Sequence, residues 1–411
     1  MKYHRLKLNM TQSELADGIV SIPYLSKIEN GYAEPSQEII NLLCEKLDIQ
    51  PLIEEQGHLV LLCKTWFKDL FYSNMKDIDQ NFLQIEKNID LISNQDLLNL
   101  FELHKLRYFI LIKNKKAAYE QFIWLEKQSK HFTETNLYYW HKFSGYYHFT
   151  KSAYPKALKR FQLAENFLAN AYHLQSEEKN SLFYMIALSA SYSRKTYLSI
   201  TYANEALDNY QKSYNQEKCG QCHILLGISF LRIHEMENAL QSYRNAENIA
   251  RLTHDNNLLA IAVQNIGNLN SIINKSQEAI DYYLESYKLR DKSPIEKKIV
   301  PIASLMKEHY KRHDIYNSKR WLQEGLEIIS QGNLDSFYTL EFQLYEQLIN
   351  GDNTSLDQII LKKIIPYLEE RELHYEKFSY LKILADYYFN NRKYKLSASY
   401  YNHALNVRNK I

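Results

Sequence analysis

The feature that most restricts what this chain can fold into is a helical pattern that returns at a fixed interval. The segments "CHILLGISFLRIHEMENALQSYRNA" and "AVQNIGNLNSIINKSQEAIDYYLES" align without gaps. Gly227, Ala239, Tyr243 and Ala246 correspond to Gly267, Ala279, Tyr283 and Ser286, each 40 positions on. The frame recurs upstream in Gly145, Ala157, Phe161 and Ala164, and near the C-terminus in Ala385, Tyr388, Ser397, Tyr401 and Ala404. Weaker copies run through Ala187, Ser199 and Ala206 and through Met306, Ser318 and Gly325, with more diverged ones near Ala117 and near position 358. Small residues at the first and third positions let two antiparallel helices approach closely, and the aromatic between them is expected to fill the gap to the next pair. Tyr147, Tyr202, Tyr243, Tyr283 and Tyr401 are therefore read as packing residues.

This pattern resembles the tetratricopeptide (TPR) repeat, stretched from 34 to about 40 residues. It predicts an all-α chain in which roughly nine helix pairs follow residue 59. A single pair cannot bury its own apolar face, so stacked pairs share one core in a right-handed α-solenoid. The resemblance implies a concave surface lined by the first helix of each pair, holding an extended peptide or a partner helix. The inward candidates are Lys142, Tyr146, Tyr184, Tyr192, Arg232, Gln264, Asn268, Ser271, Asp386 and Asn390. Asn268 is the strongest of them, because an amide can pair with both the N–H and the C=O of a peptide backbone.

Composition agrees with helices. The 411 residues include 10 Gly and 7 Pro, too few for the turns of an all-β fold. Lys and Arg total 50 against 48 Asp and Glu, which excludes a uniformly basic nucleic-acid coat or a polybasic membrane anchor. No apolar run is long enough to span a bilayer, and "MKYHRLKLNMTQ" has no signal-peptide core. Cys44, Cys63, Cys219 and Cys222 are too few for a disulfide framework. A cytoplasmic location is the expectation.

Residues 1–50 read differently from the rest. Thr11 and Glu14 have capping-box spacing, Leu15 and Ala16 follow as a buried face, and Asp17-Gly18 ends that helix. Ser21 can cap a second helix with Pro23 in its first turn, Leu25 and Ile28 on one side, and Gly31 as the stop. A third helix, capped by Ser36, directs Ile39, Ile40, Leu42, Leu43 and Leu47 inward.

The run "TQSELA…YLSKIENG…PSQEIINLLCEKLDI" resembles the helix-turn-helix of the phage-repressor (Cro/C1) class. Arg5 and Glu29 match the pair that ties the first helix to the recognition helix in that class. The major groove admits one helix, whose N-terminal residues reach base edges. The DNA candidates are accordingly Ser21, Ile22, Pro23 and Tyr24, with Lys27 and Asn30 further along, and Gln12 at the preceding helix start as a phosphate contact. Five cations and seven acids within residues 1–50 sum to −2. Attraction to phosphate then depends on charge placement and on dimerisation. The expected layout is a DNA-binding domain at 1–50, a linker at 51–58 and a TPR domain at 59–411.

A repressor-class helix-turn-helix followed by TPR pairs resembles the Gram-positive cytoplasmic peptide receptors Rgg, Rap, NprR, PlcR and PrgX, and in length and repeat number the NprR branch above all. That resemblance implies quorum sensing. A short linear signalling peptide would bind in the TPR groove and change oligomerisation and binding to a double-stranded DNA operator. It also implies, as an alternative or a second activity, sequestration of a response regulator of the sporulation phosphorelay in the Rap manner.

Other signals carry less. Cys219-Gly-Gln-Cys222 with His223 is one ligand short of a closed zinc site and reads as core packing. His309 and His313 are four apart but have no third ligand, and Glu369 and Glu370 point to different faces of a helix. There is no phosphate loop and no G-x-S-x-G, so neither an enzyme nor a cofactor is expected. The final segment "LADYYFNNRKYKLSASYYNHALNVRNKI" leaves Tyr and Leu uncovered, which predicts a homodimer through residues 374–411.

Overall fold

The computed structural model of the chain describes residues 1–48, 56–92, 94–168, 176–291, 293–331, 336–351, 355–371 and 373–408. They are helical throughout, with no strand among them. Two compact units form, Met1–Gln175 and Ser176–Ile411. Residues 51–55 of the expected linker lie outside the described residues.

The first unit opens with four short helices, α1 (Lys2–Lys7), α2 (Gln12–Ala16), α3 (Ile22–Glu29) and α4 (Gln37–Lys46). Their termini follow from the sequence. The Glu14 amide donates to Thr11 Oγ1 at 3.1 Å while the Thr11 amide donates to Glu14 Oε2 at 2.6 Å, a complete capping box. Gly18 and Gly31 take φ of +77° and +74°, conformations that cost a side-chain-bearing residue about 1 kcal/mol or more. Leu15, Ala16, Leu25, Leu43 and Leu47 form the small core of this domain. Leu42, expected inside, is 44% exposed, and Cys44 is buried in its stead. At 100° per residue the stripe through Leu43 and Leu47 widens toward position 44, leaving 42 at the edge.

The same unit contains three helix pairs: α5 (Gln56–Tyr72) with α6 (Ile78–Lys87), α7 (Gln95–Leu111) with α8 (Lys115–Gln128), and α9 (Glu134–Thr150) with α10 (Tyr154–Asn166). Trp66, Phe82, Phe101 and Tyr108 are the centre of the first core, and Trp66 Nε1 donates to the Ile78 carbonyl at 3.1 Å. Tyr3 of α1 inserts into that same core. Its hydroxyl donates to Glu102 Oε1 at 2.6 Å and its amide to Gln95 Oε1 at 2.9 Å, so the N-terminal helix is docked on α7. His4 adds a 3.2 Å contact to Asp90. Burial pushes the His4 imidazole down to about 4, which makes that contact a hydrogen bond at neutral pH.

The second unit continues the pairs: α11 (Ser176–Tyr192) with α12 (Thr196–Lys212), α13 (Gln216–Arg232) with α14 (Met236–Leu252), α15 (Asn256–Ile272) with α16 (Ser276–Leu289), and α17 (Ile299–Lys311) with α18 (Ile315–Gln331). Then come α19 (Ser336–Asn350), α20 (Leu356–Ile359), α21 (Ile365–Glu370), α22 (His374–Asn390) and α23 (Tyr394–Arg408). The diverged copy near 358 is an interrupted helix, with a π turn at Ile360–Ile364 between α20 and α21. Pro366 lacks the N–H that would continue an ordinary helical ladder there.

In three pairs the repeat frame places the aromatic against a glycine of its own pair, not in the gap to the next. A Cβ on Gly227 would stand 2.4 Å from the Tyr243 ring, and one on Gly267 would stand 2.7 Å from Tyr283. Gly145 meets Phe161 in the same way. The missing side chain is the socket, and Tyr243 and Tyr283 are buried in it. At Gly325 the partner ring does come from the next pair, from Phe342. Four of the turns inside the pairs are closed without a glycine. Arg194, His234, Asn274 and His313 hold φ between 59° and 63° where glycine usually stands.

Gly227→Ala is therefore expected to lower stability by about 1–3 kcal/mol, because the added Cβ overlaps the buried Tyr243 ring and forces it to shift. Denaturant unfolding followed by circular dichroism checks this. An unchanged midpoint would contradict the socket.

Candidate functional site

The N-terminal candidate site is organised by one buried ion pair. Arg5 Nε donates to Glu29 Oε1 at 2.7 Å and Arg5 Nη2 to Glu29 Oε2 at 2.9 Å. The remaining guanidinium nitrogen caps the Met10 carbonyl at 2.9 Å, and Gln12 Nε2 adds a 2.8 Å bond to Glu29 Oε2. A bidentate fork fixes angle as well as distance. It ties α1, α2 and the C-terminal end of α3 together and so sets the pitch at which α3 is presented. Burial opposes ionisation of Glu29, but the hydrogen bonds from Arg5 and Gln12 outweigh it and hold the carboxyl below its ordinary value of 4.5.

Along α3 the DNA candidates Ser21, Ile22, Pro23, Lys27 and Asn30 are exposed and Tyr24 is half-buried. Ser21 sits at the N-cap without using its side chain for the cap, leaving its hydroxyl available to a ligand. Gln12, expected on a phosphate, donates one amide N–H to Glu29.

A carboxylate with a depressed pKa stabilises the fold above its unfolded value and loses that contribution as pH falls through the folded one. The helix-turn-helix is thus expected to hold from neutrality to about pH 4.5 and to loosen below it. Glu29→Gln should remove this acid step and weaken the domain by about 3 kcal/mol at pH 7, since it leaves Arg5 buried beside a neutral amide. Far-ultraviolet dichroism against pH reads both. An identical acid limb in the variant would contradict the assignment.

The second candidate site lies on the first helices of the pairs. In the second unit these helices are neighbours joined by a polar ladder. Arg232 of α13 donates to the Ser191 carbonyl of α11 at 2.5 Å and to Ser191 Oγ at 2.8 Å. Gln264 of α15 donates to Ser304 Oγ of α17 at 2.9 Å. Ser271 bonds Glu308, and Lys311 Nζ reaches the Ser271 carbonyl at 2.7 Å. Lys307 pairs with Glu341 of α19 at 3.0 Å, and Tyr380 of α22 donates to the same carboxylate at 2.9 Å. A cavity of about 380 Å³ opens beside these last groups. A larger one of about 890 Å³ lies at the turns following α11 and α13.

The expected peptide ligands fall into distinct settings. Asn268 Oδ1 accepts from Tyr283 OH at 2.9 Å, which orients the amide and leaves its N–H₂ as the donor. Gln264 is buried, with its Oε1 unbonded among the described residues. Tyr192 is 46% exposed next to Ser191, and Tyr184 lies under Lys218 Nζ at 5.9 Å. Asp386 accepts from Tyr401 OH, and Asn390 is exposed at the end of α22. Lys142 and Tyr146 belong to the first unit. Lys142 is only 2% exposed, its ammonium 5.2 Å from the Phe71 ring and 5.5 Å from Tyr138. Reaching a ligand would require that core to open. Tyr146 is half-buried under Arg107, 4.4 Å from its ring.

Sequence reading missed Ser304, Lys307, Glu308, Glu341 and Glu376. A usable signal existed: ladder partners such as Gln264 and Ser304 are 40 positions apart, one repeat length. The set-aside motifs are structural. Cys219 and Cys222 are both buried on α13, and burial pushes the Cys222 thiol up to about 12. His309 Nδ1 is 3.0 Å from Asp314, while His313 occupies a turn. No group of three or more potential metal ligands occurs among the described residues, and no described helix is long and apolar enough to cross a membrane.

Comparison with known proteins agrees with this arrangement. The helix-turn-helix family HTH_3 matches residues 1–53. The transcriptional activator NprA of Geobacillus stearothermophilus is 29% identical over 395 residues, covering 94% of this chain and 97% of that one. Response regulator aspartate phosphatase I of Bacillus subtilis (strain 168) is 22% identical, covering 84% and 89%. Among solved structures, the apo quorum sensor NprR from B. thuringiensis superposes with a TM-score of 0.70 at 18% identity, over 86% of this chain and 99% of that one. NprR in complex with its cognate peptide NprX gives 0.68 at 18% identity, over 87% and 99%. With a Cro/C1-type reader held by the Arg5–Glu29 fork and TPR-like pairs behind it, the chain carries the helix-turn-helix family HTH_3 at its N-terminus and is similar along most of its length to these regulators.

Proposed function

We propose that this chain is a cytoplasmic transcription regulator whose TPR region, residues 59–411, binds a short linear signalling peptide and thereby changes the oligomeric state and DNA binding of residues 1–50. The observation that carries the reading is the pairing of two features in one chain. One is an exposed α3 N-terminus held by a buried Arg–Glu fork. The other is a row of first helices bearing an oriented amide, Asn268, beside open cavities. Backbone amides of an extended peptide of roughly five to ten residues would pair with Asn268 and Gln264, and side chains would enter the cavities. No bond-making chemistry is needed. A peptide that favours one of two conformations shifts DNA affinity by its difference in affinity for them.

Tyr24→Ala is expected to abolish operator binding while sparing peptide binding, and Asn268→Ala the reverse. Gel shifts on genomic fragments, with and without synthetic peptides encoded just downstream, separate the two. Loss of both activities in either variant would contradict the division of labour.

The similarity to a response regulator aspartate phosphatase, together with the −2 charge of residues 1–50, favours a second activity. The TPR surface would bind a response regulator of the sporulation phosphorelay in the Rap manner.

The last pair supports self-association. Phe389, Tyr394, Leu396 and Leu405 are 56%, 58%, 44% and 51% exposed, and Tyr401, expected in the core, is 36% exposed. Exposed apolar surface of this kind marks an interface. Phe389→Glu with Leu405→Glu should convert a homodimer into a monomer by light scattering, and an unchanged mass would refute the assignment.

A further inference from the structure

The 890 Å³ cavity of the second unit has a chemistry that the amide ladder does not share. Its walls carry Arg194, Lys195, Arg232 and Arg408 among apolar groups such as Leu231 and Phe378. Arg194 forms an ion pair with Glu376, a residue of α22 that is 182 positions away. Arg232 forms no ion pair among the described residues and donates only to Ser191. Burial, with the neighbouring Arg194 charge, pushes the Arg232 guanidinium down to about 10. It therefore remains charged at neutral pH in a setting that disfavours its charge. Glu376 is itself poorly satisfied, since its second oxygen is buried without a donor among the described residues. One carboxylate thus faces two guanidiniums, and it lies within ion-pair distance of Arg194 but not of Arg232.

We propose that this cavity is the subsite for a carboxylate of the bound peptide, flanked by apolar side chains, and that Glu376 stands in for that carboxylate when the peptide is absent. The assignment rests on the peptide-binding reading and sharpens it. A bidentate guanidinium contact is the usual recognition of a planar carboxylate, and Arg232 next to Arg194 supplies the fork. An arriving carboxylate takes Arg232 and competes with Glu376 for Arg194. Binding is then coupled to release of the α22 contact with the turn after α11, which gives the peptide a physical handle on the second unit. The carboxylate can come from the peptide C-terminus or from an Asp or Glu side chain; both present the same group.

The test uses the full-length protein and random heptapeptide pools, retained peptides being identified by mass spectrometry. One pool has free C-termini, one has amidated C-termini, and one is amidated and lacks Asp and Glu. The expected result is depletion of the carboxylate-free pool by about tenfold relative to the pool with free C-termini, the size of a lost charge-assisted hydrogen bond. Retention of the amidated pool that keeps Asp and Glu assigns the carboxylate to a side chain, and its loss assigns it to the terminus. Arg232→Gln should erase the preference while neutral peptides are still captured, and Arg232→Lys should restore part of it. Glu376→Gln should tighten capture of carboxylate-bearing peptides, a gain that a damaged fold cannot produce. Equal capture of all three pools by the native protein would overturn the subsite. Weaker capture by Glu376→Gln would also overturn it, and would make the Arg194 contact a structural tie only. If no pool is retained at all, the peptide-binding reading falls and takes the subsite with it.

Discussion

The close approach of two helices at a residue with no side chain is what the rest of the molecule depends on. Where Gly227 faces Tyr243 and Gly267 faces Tyr283, the ring fills the space a Cβ would occupy. Each such pair is a thin plate with an apolar face on both sides, and only stacking buries both. Stacking brings the first helices side by side. Their polar residues then have one another as partners, and this produces the ladder from Ser191 through Glu341. The candidate peptide surface is a consequence of how the pairs must pack.

The N-terminal reader depends on a different kind of constraint. Its core is small, with Leu15, Leu25, Leu43 and Leu47 at the centre, so apolar burial alone fixes little. The Arg5–Glu29 fork supplies the missing geometry. It is costly to bury and equally costly to break, which makes it an angle-setting device more than a source of net stability. Tyr3, two residues before Arg5, docks on Glu102 and Gln95 of α7. The helix that holds the recognition helix is therefore also the helix that touches the repeats.

Much of this was legible in the sequence. The 40-residue offset, the glycine and alanine positions and the Thr11–Glu14 cap are local or periodic signals, and local physics decides them. The Arg5–Glu29 match rested on resemblance and took the expected form. What was not legible depends on which neighbour a side chain meets. Lys142 has the spacing of a groove residue but is buried over Phe71, an aromatic contributed by another pair. Leu42 and Cys44 exchanged places because a ten-residue helix has a stripe whose edge a binary pattern cannot fix. The π turn before Pro366 replaced a regular copy, because a single missing N–H is invisible to periodicity. Glu376 meets Arg194 across 182 residues, a distance no local pattern spans.

The chain has too few glycines for the turns of an all-β fold, and four turns inside the pairs show how helices are joined without them. Arg194, His234, Asn274 and His313 take the left-handed conformation themselves. Their side chains consequently decorate one end of these four pairs, and at α11 that end carries Arg194 into the larger cavity.

The central claim is that a peptide held by the repeats and an operator held by α3 influence each other. Coupling free energy is reciprocal: the factor by which the peptide changes operator affinity must equal the factor by which the operator changes peptide affinity. Calorimetric titration of one captured peptide into the full-length protein, alone and saturated with operator DNA, measures this directly. The account predicts a change in peptide Kd of about fivefold or more that matches the shift in DNA affinity. Identical peptide affinity with and without DNA would contradict it.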